Sequence, residues 1–288
     1  MARSFRLPPR ALVLTMAVAA GAAFQTGPVS AAASGPFLSH QALYELNLVK
    51  SRGSNAINGA RGRILYNFSG SACEGYTSEF RQVSELDSGE GKTTLSDLRS
   101  SSWEDGAGKS YRFKIDTRMN DSDSAPVDGM AERVGDHITV KLKEPVSKTF
   151  NLDGNIVFPT EQIEHIIAAA RAGKPVLELT VYDGSDNGEK VYNTLSVIGQ
   201  PIPGDRTPAS PDASTANDVM KSMTRWPVTV SYYDRDAKAK DGEQTPVYAM
   251  SFELYENGVS RALVLDYNDF VISGAMGKFD VKDSKPCK

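Results

Sequence analysis

Cys73 and Cys287 are the only cysteines of this 288-residue chain. They stand far apart, so neither belongs to a Cys-x-x-Cys redox pair. Cys73 ends Gly70-Ser71-Ala72-Cys73, which resembles a nucleophile motif only superficially; no G-x-S-x-G is completed anywhere. Taken alone, each cysteine is either a lone buried thiol or half of a disulfide, and the compartment must decide. His40, His137 and His165 are scattered and lack the spacing of metal ligands. His165 falls on a helical pattern and reads as an exposed helix residue. Asp183, Asp186 and Glu189 in DGSDNGE could hold calcium, but the run lacks the full EF-hand set, so a solvated hairpin loop is preferred. Glu104 and Asp105 read as a polar turn rather than an acid/base pair, and Trp103 and Trp226 as packing or rim residues. There is no H-E-x-x-H and no phosphate loop. The prediction is therefore a non-enzymatic chain without a catalytic set, a metal site or a cofactor.

The N-terminus supplies the compartment. Arg3, Arg6 and Arg10 form a positive n-region, Ala11 to Phe24 is an apolar run, and Val29-Ser30-Ala31 and Ala31-Ala32-Ala33 are small-residue cleavage patterns. The run is too short to span a bilayer comfortably. Residues 1–33 are read as a secretory signal peptide rather than a membrane anchor, and residues 34–288 as one exported, soluble, not membrane-spanning domain. Net charge is −4 for the whole chain, and more negative once the three signal arginines are removed. An acidic, evenly mixed surface argues against nucleic acid and against anionic membrane surfaces. In an oxidising compartment two cysteines pair, so a Cys73–Cys287 disulfide is expected. Such a long loop gives on the order of 5 kcal/mol in the chain-entropy account.

The elements around these residues are strands. In RGRILYNFSGSACEGYTSEFRQVSE, Ile64, Tyr66 and Phe68 share one face of a first run, and Tyr76, Ser78 and Phe80 alternate on a second. Gly70, Ser71 and Gly75 supply the turn, so Cys73 sits in a hairpin connection. Gln41 to Lys50 alternates before it, and Tyr111, Phe113 and Ile115 alternate after it. Gly135-Asp136 and Asn257-Gly258 are further hairpin signals. One helix interrupts the series in FPTEQIEHIIAAARAGK: Thr160 is the expected N-cap, Ile163, Ile166, Ile167 and Ala170 form an apolar stripe, Gly173 fits C′ and Pro175 stops it. The proline-rich stretch from Gly199 to Asp218 reads as a long exposed insertion between strands. The expected fold is all-β, with about fourteen strands and one central helix.

The signal peptide, the Cys73 hairpin NFSGSACEGYT, the helix between two blocks of strands and the terminal Cys287 together resemble the EipB family of periplasmic cell-envelope integrity proteins of Gram-negative bacteria. The resemblance covers essentially the whole mature chain. It implies a spirally curled antiparallel sheet (a β-spiral), similar in shape to the LolA-type lipoprotein-carrier fold, with a disulfide from the early hairpin to the C-terminus. It further implies a periplasmic role in envelope integrity and a periplasmic tetratricopeptide-repeat protein as partner. Twist alone curls a sheet of this size. Two readings follow: a scaffold or binding protein, or a carrier holding a lipid or lipoprotein acyl chain in the concavity. Ile64, Tyr66, Phe68, Tyr111 and Phe113 are the expected ligand-facing residues of the concave face.

Overall fold

Alternation carries most of the described residues into strands. The computed structural model describes residues 37–52, 57–89, 91–120, 122–237, 244–283 and 287. The expected signal peptide, residues 1–33, lies outside them. Before the helix run β1 (His40–Ser51), β2 (Gly59–Ser71), β3 (Gly75–Asp87), β4 (Thr93–Glu104) and β5 (Ser110–Met119). Next come β6 (Ser122–Asp123), β7 (Val127–Val134), β8 (His137–Glu144), β9 (Lys148–Asp153) and β10 (Ile156–Val157). After α1 (Pro159–Arg171) follow β11 (Val176–Val181), β12 (Tyr192–Ile198), the short α2 (Ala213–Ala216) and β13 (Arg225–Asp234). The chain closes with β14 (Tyr248–Tyr255), β15 (Ser260–Asp266) and β16 (Phe270–Val281). The inward residues obey period two: Ala42, Tyr44 and Leu46 on β1, and Val228, Val230 and Tyr232 on β13, are all buried.

All sixteen strands belong to one sheet, in the order β10-β11-β12-β13-β14-β15-β16-β1-β2-β3-β4-β5-β7-β8-β9, with β6 on β5. Two of them, β6 and β10, have only two residues each, so the longer strands match the expected number. β1 pairs with β16, so both ends of the domain meet in the middle of the sheet. Its two outer strands, β9 and β10, are consecutive in the chain, so the sheet curls into a nearly closed barrel. The seam is packed by Tyr111, Phe113, Leu152, Phe158, Tyr182 and Val191, all buried in one cluster, and bridged by a Lys148–Glu189 ion pair. Gly184 is required there: a Cβ on it would lie 2.4 Å from the Phe113 ring. One pairing departs from the antiparallel expectation. β10 runs parallel to β11, because the chain must pass through α1 between them.

α1 lies on the concave face. Ile166 and Ile167 are fully buried in a cluster with Tyr44, Ile64, Trp226 and Met276. Burying each such side chain contributes about 1.5–3 kcal/mol. The C-terminus follows expectation: Gly173 has φ +67°, its amide reaches Ala170 O and the Lys174 amide reaches Ala169 O, a Schellman closure. The N-terminus does not. Phe158 holds the cap position, Pro159 starts the helix, and Thr160 lies inside the first turn. Proline lacks an N–H and is preset for the first helical position, so the helix begins earlier than the Thr160 cap would allow.

Between β12 and β13 the proline-rich stretch is an insertion within one sheet, as expected, and it is anchored. Asp212 caps α2 and accepts from the buried Arg261 Nε at 2.9 Å, while Arg225 Nη2 donates to Arg206 O at 3.0 Å.

Candidate functional site

The concavity that α1 leaves open is a cavity of about 550 Å³. Cross-strand register makes it. One inward row reads Phe68, Ser78, Ser102 across β2, β3 and β4; the next reads Tyr66, Phe80, Ser100 and then Ile115 on β5. Serines beside large rings leave a hollow that a row of leucines would fill. Leu98 and Thr117 extend the same wall. Facing them are Pro159, Thr160, Gln162 and Ile163 of α1, Tyr232 of β13 and Met250 of β14, with Asp183 and Ser185 from the β11–β12 loop. The volume falls in the range of small-ligand sites, roughly 300–1,000 Å³.

Three of the five predicted ligand-facing residues, Tyr66, Phe68 and Tyr111, line this cavity. Ile64 and Phe113 do not. Ile64 pairs across β1 with Tyr44 and is sealed in the main core with Ile166 and Ile167. Phe113 is covered by the β11–β12 loop, its ring 5.7 Å from that of Tyr182. The aromatic wall is ordered by ring packing: Phe37 meets Phe68 edge-on at 5.7 Å and Tyr76 at 5.4 Å.

The polar groups at the cavity are fixed by local bonds. The Tyr111 hydroxyl donates to Asp183 O at 3.0 Å, and Tyr232 to Gln162 Oε1 at 3.4 Å. Gln162 Nε2 in turn reaches Thr194 Oγ1 at 3.4 Å. The Asp183 carboxyl accepts the Ser185 amide at 2.9 Å; burial raises its pKa against that bond. Burial, with a smaller contribution from the Asp183 charge, pushes Tyr232 up to about 12. Asp183 and Glu189 have different partners, the loop's own Ser185 amide and Lys148.

Glu104 departs most from its sequence reading. It is not an exposed turn residue but a buried carboxylate, 3% exposed, at the end of β4. It accepts the amides of Thr160 at 2.7 Å and Glu161 at 2.9 Å. Those are donors that an N-cap side chain would satisfy, and Phe158 has none to offer. Glu161 Oε2 completes the start by accepting the Phe158 amide at 3.3 Å and Arg133 Nη2 at 2.9 Å. Burial, opposed by the two amide bonds, raises Glu104 to about 7. No local sequence signal marks this role, because the partner helix is remote in the chain.

The expected disulfide is present. Cys73, in the β2–β3 turn, and Cys287, beyond β16, have Cα atoms 5.7 Å apart and are bonded. Register explains the encounter: Phe68 and Val281 both pair with His40 from opposite sides of β1, so both strands run past the same end of β1. His40 is buried there, Nδ1 2.7 Å from Leu38 O, and His165 is half-exposed on α1, 4.0 Å from Glu161. His137 lies at the β7–β8 turn beside Asp136. Trp226 is core, while Trp103 stacks under Arg112 on the outer face. Among the described residues no helix is long and apolar enough to cross a membrane.

Comparison with known proteins agrees with this architecture. A sequence profile described as EipB-like matches residues 31–283. The chain is 35% identical over 263 residues to the cell envelope integrity protein EipB of Brucella abortus (strain 2308), an alignment covering 90% of this chain and 89% of that one. Its fold is similar to the crystal structure of a beta-barrel-like protein of domain of unknown function DUF1849 from Brucella abortus, with TM-score 0.77 and 33% identity, over 86% of this chain and 99% of that one. By sequence and by fold, the chain belongs to the EipB-like family.

Proposed function

We propose that this protein serves cell-envelope integrity from the periplasm as a binding protein, and that its concave cavity takes the apolar chain of an envelope amphiphile. The observation that carries this reading is the cavity of about 550 Å³, walled by Tyr66, Phe68, Phe80, Leu98, Ile115, Ile163 and Met250 and left open by serines. The relative's name supplies the envelope role, and the LolA-type carrier shape that the family resemblance implies is in keeping with it. The action in this reading is binding rather than catalysis, which the largely apolar and aromatic lining supports.

An uncharged fluorescent acyl probe should bind with micromolar Kd, about −8 kcal/mol. Ser100→Trp, which fills the hollow from β4, should abolish binding while the melting curve stays cooperative. Absence of binding up to millimolar probe removes the cavity reading.

A second reading is favoured by the depth to which α1 itself fills the concavity, with Ile166 and Ile167 fully buried. In that reading the protein is a scaffold, with a periplasmic tetratricopeptide-repeat protein as its partner. Co-purification from the envelope of such a partner, unaffected by Ser100→Trp, would separate the scaffold from the carrier.

A further inference from the structure

The charge around the cavity has one sign. Asp183 and Asp186 lie on its wall, and among the described residues no Lys, Arg or His does. Lys190, in the same loop, is ion-paired with Asp234. The N-terminal turn of α1 also reaches the cavity, through Pro159 and Thr160, and a free helix start would favour an anion. That start is already occupied: the Thr160 and Glu161 amides are taken by Glu104. The carboxylates on the cavity wall are therefore Asp183 and Asp186 of the facing loop, while Glu104 is engaged behind the helix start.

Tyrosines lie close to Asp183. The Tyr111 hydroxyl sits on its carbonyl oxygen at 3.0 Å. Ser185, whose amide holds the Asp183 carboxyl, meets the Tyr192 hydroxyl at 3.3 Å. From Tyr192 the rings continue to Tyr232 at 6.1 Å and on to Tyr248, stacked at 4.4 Å. After burial, the Asp183 charge is the largest influence raising Tyr111 and Tyr232, and it also raises Tyr248 and Tyr192, so all four hydroxyls lie within its field. A carboxylate and tyrosine rings on the wall of one cavity, with no basic side chain among the described lining residues, are the recognition chemistry of an ammonium group.

Resting on the cavity reading above, we propose that the cavity selects amphiphiles whose polar end is a positively charged ammonium, with Asp183 as its counter-ion and Tyr66, Tyr111 and Tyr232 on its walls. An anionic head placed there would face Asp183 across a desolvated gap, where like charges repel strongly. An ammonium would instead relieve the cost of burying that carboxyl.

The test compares three ligands of equal chain length on the oxidised protein at about pH 8, below their micelle concentrations: decyltrimethylammonium, decanol and decanoate. Calorimetric titration should rank them in that order, with the cation at least about tenfold tighter than decanoate. In Asp183→Asn the cation and decanoate should converge to within about threefold. Circular dichroism checks that the variant folds; if it does not, the ranking on the unmodified protein decides alone. Decanoate binding as tightly as the cation, or a folded Asp183→Asn that keeps the full ratio, overturns the proposal and leaves the cavity reading in place. Failure of all three ligands to bind overturns the cavity reading itself.

Discussion

Replacing Glu104 by glutamine probes how α1 is held against the sheet. The carboxylate is buried and takes two helix amides at 2.7 and 2.9 Å. Burial outweighs those bonds and raises it to about 7. In the unfolded chain a glutamate titrates near ~4.3, so the fold prefers the acid form by roughly 3–4 kcal/mol. Between those pH values the folded chain holds a proton that the unfolded chain has released. Stability from this group is therefore greatest below the unfolded value and falls as pH rises through the folded one. Glutamine keeps an acceptor for the helix start and has no such proton. The melting temperature of Glu104→Gln should thus gain on the parent by roughly 6–12 °C between about pH 4.5 and 7.5. Comparing variant with parent cancels Glu164 and Asp183, which burial also raises. Scanning calorimetry across that range is the assay. A melting difference that does not change with pH would refute the assignment of the buried charge to the helix cap.

Other consequences follow from the same structure. Glu104→Ala, which bares both amides, should be about 1–2 kcal/mol less stable than Glu104→Gln in chemical denaturation. Cys73→Ser or Cys287→Ser should each cost about 2–5 kcal/mol, the double variant no more than either, and reductant should shift only the parent; free thiols in the unfolded, unreduced parent would rule the bond out. Arg261 is 2% exposed and joins Glu253 to Asp212 under the insertion. Arg261→Ala, which leaves Asp212 without its cation and Glu253 with Arg225 alone, should cost about 3 kcal/mol, and an unchanged denaturation midpoint would show that the insertion is not anchored there.

Much of the frame was legible in the sequence because strand burial repeats every second residue and each half-buried run declares its own face. β1, β2 and β13 show this directly, and the helix stripe does the same at its longer period. The Cys73–Cys287 bond was legible from export and cysteine count. What escaped depends on register between elements. Nothing local in LSDLRSSSWE says that Ser100 and Ser102 face rings on neighbouring strands; pairing with Phe80 and Ser78 makes the hollow. Ile64 and Phe113 alternate as cleanly as Tyr66 and Tyr111, yet a helix and a loop from the other half of the chain cover them. Glu104 looked solvated because charges at strand ends usually are; its partners lie in α1. The parallel β10–β11 pair is too short to leave a periodic signal.

The central claim is that the cavity holds an amphiphile in the envelope. Native mass spectrometry of the oxidised protein, released gently from the envelope without detergent, tests it most directly. A one-to-one adduct of lipid-like mass is expected on the parent and is lost in Ser100→Trp. Bare protein in the parent spectrum, or an adduct that persists unchanged in Ser100→Trp, would contradict it.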